Sequence, residues 1–288
     1  MRVQVPERRV IPALQRAVDR LAERRALRAN DRKRRRRLAR WHRRAVTVAE
    51  GWRPAPADQL IADDANPLRA FLAARSEGRG VWKWDHYMDI YHRHFERFRG
   101  EEIHILEIGI YSGGSLDMWH DYFGPKCHVY GVDIQEECLS YAGDRTTILI
   151  GDQADPHFWR DVRRAVPRLD IVVDDGGHLP EQQAVSAEEL LPHVQPGGLY
   201  VVEDVHGVGN PFAAYVYGWV QALNTFRAVP HPGEPERRMV SETAAFQASI
   251  EGIYQYPYVV VVEKRAAALD GFVAPKRGSE WAPFLRND

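Results

Sequence analysis

The chain has 288 residues, 44% of them hydrophobic and 27% charged, with a formal net charge of −1. That length fits one large domain or one domain with an appendage, and the composition excludes a fibrous, low-complexity or disulfide-scaffold protein. No run approaches the roughly eighteen apolar residues of a membrane span. The first twenty residues lack the apolar core of a secretory signal, and Cys127 and Cys138 stand without metal-type spacing, so both read as reduced packing residues of a cytoplasmic protein.

Charge is unevenly distributed. Residues 1–50 carry 17 Lys+Arg against 5 Asp+Glu, and the remainder carries 22 against 35. This separation predicts a basic arm on a mildly acidic domain. From Leu14 to Ala49 there is no glycine or proline, which predicts one long or broken helix with a thin apolar stripe of Leu14, Val18, Leu21, Leu27 and Leu38. Lys33 to Arg37 form an unbroken basic run that suits a solvated helix face, an acidic surface or a second subunit. Contact with nucleic acid or anionic lipid stays open, although no aromatic stacking set accompanies the arginines. Trp52-Arg53-Pro54-Ala55-Pro56 reads as a linker. The expected division is an arm and linker over 1–79 and a catalytic domain over 80–288. Residues 80–99 place Trp84, Tyr87, Met88, Tyr91 and Phe95 at helical spacing, the pattern of a core-facing helix, with Lys83, Trp84, His86 and Tyr87 at its start.

From Ile103 strands and helices alternate. Apolar runs at 103–108, 128–132, 147–150, 170–173 and 199–202 are separated by helix-like segments at 116–122, 156–166 and 181–193. Such alternation predicts a parallel sheet covered on both faces. Residues 249–254 and 258–263 flank Pro257 closely enough for an antiparallel hairpin. Together these describe an α/β Rossmann-like fold, a mostly parallel seven-stranded sheet ending in an antiparallel hairpin.

The first strand runs into Glu107-Ile108-Gly109-Ile110-Tyr111-Ser112-Gly113-Gly114-Ser115, where glycines allow a sharp turn close to a ligand. Asp133 closes the second strand 20 residues beyond Gly113, the position from which an acid accepts both hydroxyls of a ribose. The glycines depart from G-x-G-x-x-G spacing, Glu107 suits a cationic amino acid moiety better than a pyrophosphate, and Asp152 after the third strand suits an adenine amino group. S-adenosylmethionine fits these features better than a dinucleotide.

The fourth strand ends in Asp174-Asp175-Gly176-Gly177-His178 and the fifth in Glu203-Asp204-Val205-His206. Neighbouring strands lie roughly 4.8 Å apart, so the four acids converge and repel unless protonated or neutralised by a cation. Carboxylate oxygens without cysteine select Mg²⁺ or a similar ion. A sugar hydroxyl holds its proton with a pKa near ~16, and metal assistance with a base such as His178 would make it a nucleophile. Asp174 suits either the cofactor or nearby backbone, and His206 is read as a loop residue.

These residues also carry a resemblance. Lys83-Trp84, His86-Tyr87, Leu106-Glu107-Ile108-Gly109, Gly113-Gly114-Ser115-Leu116, Trp119 and Tyr130-Gly131-Val132-Asp133-Ile134 begin it. Gly151-Asp152-Gln153, Asp174-Asp175-Gly176-Gly177-His178, Pro196-Gly197-Gly198-Leu199-Tyr200 and Glu203-Asp204 continue it. Over about residues 80–264 the chain resembles metal-dependent sugar O-methyltransferases of actinobacterial natural-product pathways. The resemblance implies Asp175, Glu203 and Asp204 as metal ligands and His178 as the catalytic base. It implies Glu107, Asp133 and Asp152 around S-adenosylmethionine. The full expected cofactor set adds Gly109, Tyr111, Ser112, Gly113 and Ser115 from the first turn, Ile134, Gln153 and Asp174. The expected partner is a saccharide or other small-molecule acceptor, with a phenolic or polyketide hydroxyl, or a nucleic acid, as the alternatives. A homo-oligomer is also compatible. Gly177 stands where that family usually has serine, and residues 205–210 depart from its usual continuation.

Overall fold

The computed structural model describes residues 12–52, 66–166, 169–230 and 238–279, with the side chains of residues 12–30, Pro230 and Arg238 excepted. Residues 53–56 of the expected linker lie outside the described residues. The chain divides into two compact units, Met1–Ala62 and Asp63–Asp288.

In the first unit, helix α1 runs unbroken over Pro12–Glu50, 39 residues. Alanine, leucine and arginine are all good helix formers, and no glycine or proline interrupts them. From residue 31 onward every side chain except Val46 is exposed, so this part buries no face. The ion pair Arg35–Asp31 at 2.9 Å is the i, i+4 kind that supports such a helix by a few tenths of a kcal/mol.

The second unit opens with α2 (Pro67–Ala74), which starts where the Asn66 side chain accepts from Leu68 N at 3.0 Å and Pro67 supplies the first helical residue. Asn66 and Leu68 are buried, so this stretch, assigned from sequence to the arm and linker, packs in the second unit. Helix α3 (Tyr87–Phe95) follows, then β1 (Ile103–Ile108), α4 (Gly114–Phe123), β2 (Cys127–Asp133), β3 (Thr146–Ile150), α5 (Pro156–Ala165), β4 (Leu169–Asp174), α6 (Pro180–Leu190) and β5 (Val194–Val202). The chain continues through α7 (Pro211–Leu223), β6 (Ala228–Pro230), β7 (Arg238–Glu242), α8 (Ala245–Ser249), β8 (Ile250–Tyr256), β9 (Val259–Lys264) and β10 (Gly271–Pro275).

Seven strands form one sheet in the order β3-β2-β1-β4-β5-β9-β8. The first five are mutually parallel, and β9 runs antiparallel to both β5 and β8. A second sheet, β10-β7-β6, is antiparallel and was not anticipated from sequence, nor was α7. Every residue of β4 is buried, as expected of a central parallel strand covered on both faces. One core layer sets Tyr91, Phe95, Trp119 and Phe123 of α3 and α4 against the sheet. The other sets Trp159, Leu190 and Phe212 of α5 to α7 against Tyr200 and its neighbours. Strand order reverses between β1 and β4, so the carboxyl ends of β1, β2, β4 and β5 open a crevice there.

Candidate active site

A cavity of about 1120 Å³ fills that crevice. Its β1–β3 side is shaped by tight turns. Gly109 has φ +82°, and a Cβ on it would lie 2.1 Å from the carbonyl oxygen of Asp175, so only glycine lets β1 and β4 meet there. Asp133, at the tip of β2, accepts from the backbone amides of Ile110 and Tyr111 through Oδ2 and of Gln135 through Oδ1, at 3.0 to 3.1 Å. Asp152 is exposed after β3, and its Oδ1 accepts from Ala154 N at 2.8 Å.

Of the expected cofactor residues, Gly109, Tyr111, Ser112, Ser115, Asp133 and Ile134 line this cavity, as do Asp152 and Gln153. Glu107, Gly113 and Asp174 do not. Glu107 is fully buried; its Oε2 accepts from Ser115 Oγ at 2.6 Å and Trp119 Nε1 at 3.1 Å. Gly113 forms the left-handed entry to α4. Asp174 is buried and accepts from Gln153 Nε2 at 3.0 Å and Tyr200 OH at 3.4 Å. Burial pushes its pKa up to about 6, against the hydrogen bonds that favour the charged form.

The β4–β5 side is held by side chains. Lys83 is buried, with Nζ 2.8 Å from Asp175 Oδ2, 2.8 Å from Glu203 Oε1 and 3.1 Å from Glu107 Oε1. Burial opposes its charge, but Asp175, Glu203, Tyr91 and Glu107 together outweigh burial and hold the lysine well above its usual pKa. Glu203 is likewise buried and hydrogen-bonded by Tyr91 OH. Burial, then Asp175, raise its pKa well above the carboxylate range, with Lys83 and Tyr91 offsetting part of the rise. One ammonium is thus shared by three carboxyl groups.

On the cavity side of that buried group, Asp175, His178 and Asp204 bring ligand-type atoms within 4.8 Å of one another. His178 Nε2 lies 3.5 Å from Asp204 Oδ2 and 3.9 Å from Asp175 Oδ1. Asp204 Oδ1 accepts from Tyr87 OH at 2.6 Å and Trp84 Nε1 at 3.1 Å, and His206 Nε2 is 3.4 Å away. His178 and Asp204 both adopt positive φ, 57° and 56°, a costly conformation for residues with a Cβ that concentrates at functional sites. The structure therefore brings Asp175 and Asp204 together at the cavity, and Glu203 lines the same cavity beside them while sharing Lys83 with Asp175 and accepting from Tyr91. Lys83, Tyr91 and His206 received no role from sequence. The signal for Lys83 was a lone lysine ahead of an otherwise aromatic helix stripe, opposite four unneutralised acids.

The sheet order, the glycine turn after β1 and the cavity at the strand tips define the Rossmann-like class I methyltransferase fold. Among solved structures, MycE methyltransferase from the mycinamycin pathway, in complex with Mg and SAH, matches with a TM-score of 0.54 and 29% identity, over 70% of this chain and 54% of that one. By sequence the chain is a relative of natural-product sugar O-methyltransferases. It is 32% identical over 238 residues to an 8-demethyl-8-alpha-L-rhamnosyl tetracenomycin-C 2'-O-methyltransferase of Streptomyces olivaceus, covering 78% of this chain and 62% of that protein. It is 40% identical over 195 residues to mycinamicin VI 2''-O-methyltransferase of Micromonospora griseorubida, covering 60% and 47%. The chain thus spans about half the length of these relatives. No family model matches it.

Proposed function

We propose that this chain transfers a methyl group from S-adenosylmethionine to a hydroxyl of a sugar on a glycoside, assisted by Mg²⁺ or a similar ion. The observation that carries this reading is the convergence of Asp175, His178 and Asp204 in a cavity that also holds the Asp133 carboxylate. The residues fit both groups. Asp133 faces the cavity with acceptor capacity beyond its backbone bonds, since each carboxylate oxygen carries two lone pairs. The oxygen and imidazole donors of Asp175, His178 and Asp204, gathered within 4.8 Å of one another, suit a hard divalent cation.

Asp175, Glu203 and Asp204 would hold the ion, which when bound supplies Lewis-acid polarisation of an acceptor hydroxyl. Asp133 would accept the ribose hydroxyls, Asp152 the adenine amino group, and Tyr111, Ser112 and Ile134 would border the donor. Glu107, sealed from the cavity, acts through Ser115, Trp119 and Lys83 by fixing the turn. Asp174 braces Gln153 rather than touching the donor. His178 takes the hydroxyl proton at Nε2, and the neighbouring Asp204 carboxylate stabilises the imidazolium that results.

The test is methyl transfer from a labelled donor to a panel of glycosides and phenols, with and without EDTA. Activity on the glycosides should vanish on chelation and return with Mg²⁺. Full turnover after thorough chelation would remove the ion from the mechanism, and methylation confined to phenols would replace the sugar acceptor.

A further inference from the structure

Residues 80–85 cross the cavity as a segment pinned at several points. Arg75 and Arg79 both pair with Asp117 on α4. Gly80 sits so close to α4 that a Cβ on Gly114 would lie 2.2 Å from its carbonyl oxygen. Lys83 is locked among three carboxylates. Side chains alternate along the segment, so Val81 and Lys83 turn inward while Trp82 and Trp84 are left outward. Trp82 lines the cavity with 91% of its surface exposed, unusual for a residue that is normally well buried.

Trp84 is part of a wider aromatic surface. Its ring lies 5.6 Å from Tyr258 and 6.1 Å from His206, and those two rings are 4.4 Å apart. The surface is braced from below. Val205 N donates to Tyr258 O at 2.9 Å, and His86 Nε2 sits 3.1 Å from Pro257 O. His206 comes from the stretch where this sequence leaves the pattern of the family it resembles. The wall adjoins Asp204, to which Trp84 donates.

We propose that Trp82 and Trp84, with His206 and Tyr258 behind them, form the docking surface for the acceptor, and that it takes an uncharged ring through its C–H face. This rests on the methyl-transfer reading above. A pyranose has one face of axial C–H bonds, apolar enough to pack on an indole, and its hydroxyl edge is then directed to the acids beyond. Charge narrows the class further. Among the described residues lining the cavity, seven are aspartate or glutamate and one is lysine. Such a field repels phosphate, which disfavours nucleotide-linked sugars and nucleic acid as acceptors. The acceptor would then be made by a glycosyl transfer that has already released the nucleotide.

The full chain is tested with p-nitrophenyl α-L-rhamnoside as the neutral probe and a nucleotide-diphosphate-linked rhamnose as the charged one. The wild type should methylate the first and leave the second unmodified. Trp82→Ala and Tyr258→Leu should each raise KM for the neutral probe about tenfold, with kcat changed less than twofold. Affinity for S-adenosylhomocysteine, measured calorimetrically, serves as the folding control and should match wild type. Unchanged KM in both variants, with wild-type turnover intact, overturns the aromatic docking surface and leaves methyl transfer standing. Preference for the nucleotide-linked sugar overturns the charge selection. If no glycoside is bound or methylated while a phenol is, the sugar reading falls and the docking proposal falls with it.

Discussion

The two sides of the cavity are built by different kinds of bond. On the β1–β3 side, Asp133 and Asp152 accept from backbone amides, some only two residues away. On the β4–β5 side the acids are held by side chains from far along the chain: Lys83 reaches Asp175 across 92 positions and Glu203 across 120, and Tyr87 reaches Asp204 across 117. The first side is positioned by turn geometry, so it tolerates change in any one neighbouring side chain. The second is positioned by side chains distant in sequence, with Asp175 and Glu203 depending on a single buried ammonium. Under the proposed function, donor binding and the chemical step fall to structures of unequal fragility.

That inequality predicts its largest effect at Lys83. Lys83→Met leaves Glu107, Asp175 and Glu203 without their shared cation, and breaking a buried charge pair costs about 3–5 kcal/mol. Urea unfolding at neutral pH should show a loss of that size. Adding Glu203→Gln to Lys83→Met should restore part of it by removing one unpaired carboxylate. A Lys83→Met protein within about 1 kcal/mol of wild type, the size of an ordinary point-mutant effect, would abolish the distinction between the two sides.

His178→Ala isolates the chemical step. Loss of a general base lowers rate by about 10²–10⁴, and His178 is partly exposed with no buried ion pair to lose. We expect kcat to fall by that factor while S-adenosylhomocysteine binds as tightly as before. If donor affinity collapsed together with kcat, the histidine would belong to both sides and the division would blur.

The same contrast explains what the sequence disclosed. The order of strands, the glycine turn and Asp133 were readable because each depends on neighbours in the chain: alternating apolar runs, a left-handed turn, an acid at a strand tip. Asp175 and Asp204 followed from adjacency of β4 and β5. The bond from Lys83 to Glu203 was not legible, because the two stand 120 positions apart and no periodicity within either segment joins them. Tyr91 read as one member of a core stripe, which it also is; its hydroxyl reaching Glu203 is a consequence of how α3 lies under the strand tips. The small sheet of β6, β7 and β10 escaped notice because its strands are short and β10 is distant in sequence from the other two. The arm's helix was legible from composition, although the sequence left open whether it was broken; it runs unbroken over Pro12–Glu50.

A smaller effect tests the backbone-held side. Asp133→Asn keeps the shape and part of the amide capping but removes the charge that strengthens a hydrogen bond to ribose. Hydrogen bonds to charged groups contribute about 1.5–3 kcal/mol, so affinity for S-adenosylhomocysteine should weaken by about 10- to 100-fold. Stability should change far less than in Lys83→Met. An unaltered dissociation constant would take Asp133 out of the donor site.

A last predicted effect belongs to neither side and so calibrates both. His120 lies on α4, with Nε2 2.8 Å from Thr146 Oγ1 and Nδ1 3.1 Å from an Arg145 nitrogen. Burial, reinforced by the Arg145 charge, pulls its pKa from 6.5 down to about 4. The unfolded chain therefore binds a proton between those values that the folded chain refuses, and stability must fall as pH drops through that interval. Above about 6.5 the contribution is fully present, and below about 4 it has been lost. His120→Gln should remove this part of the slope, so the melting-temperature gap between wild type and variant shrinks on acidification from pH 7.5 to 4. Donor affinity should not follow it, because His120 is absent from the cavity wall. A gap that stays constant across that range would mean the imidazole is protonated as readily folded as unfolded, and the buried neutral histidine would have to be abandoned.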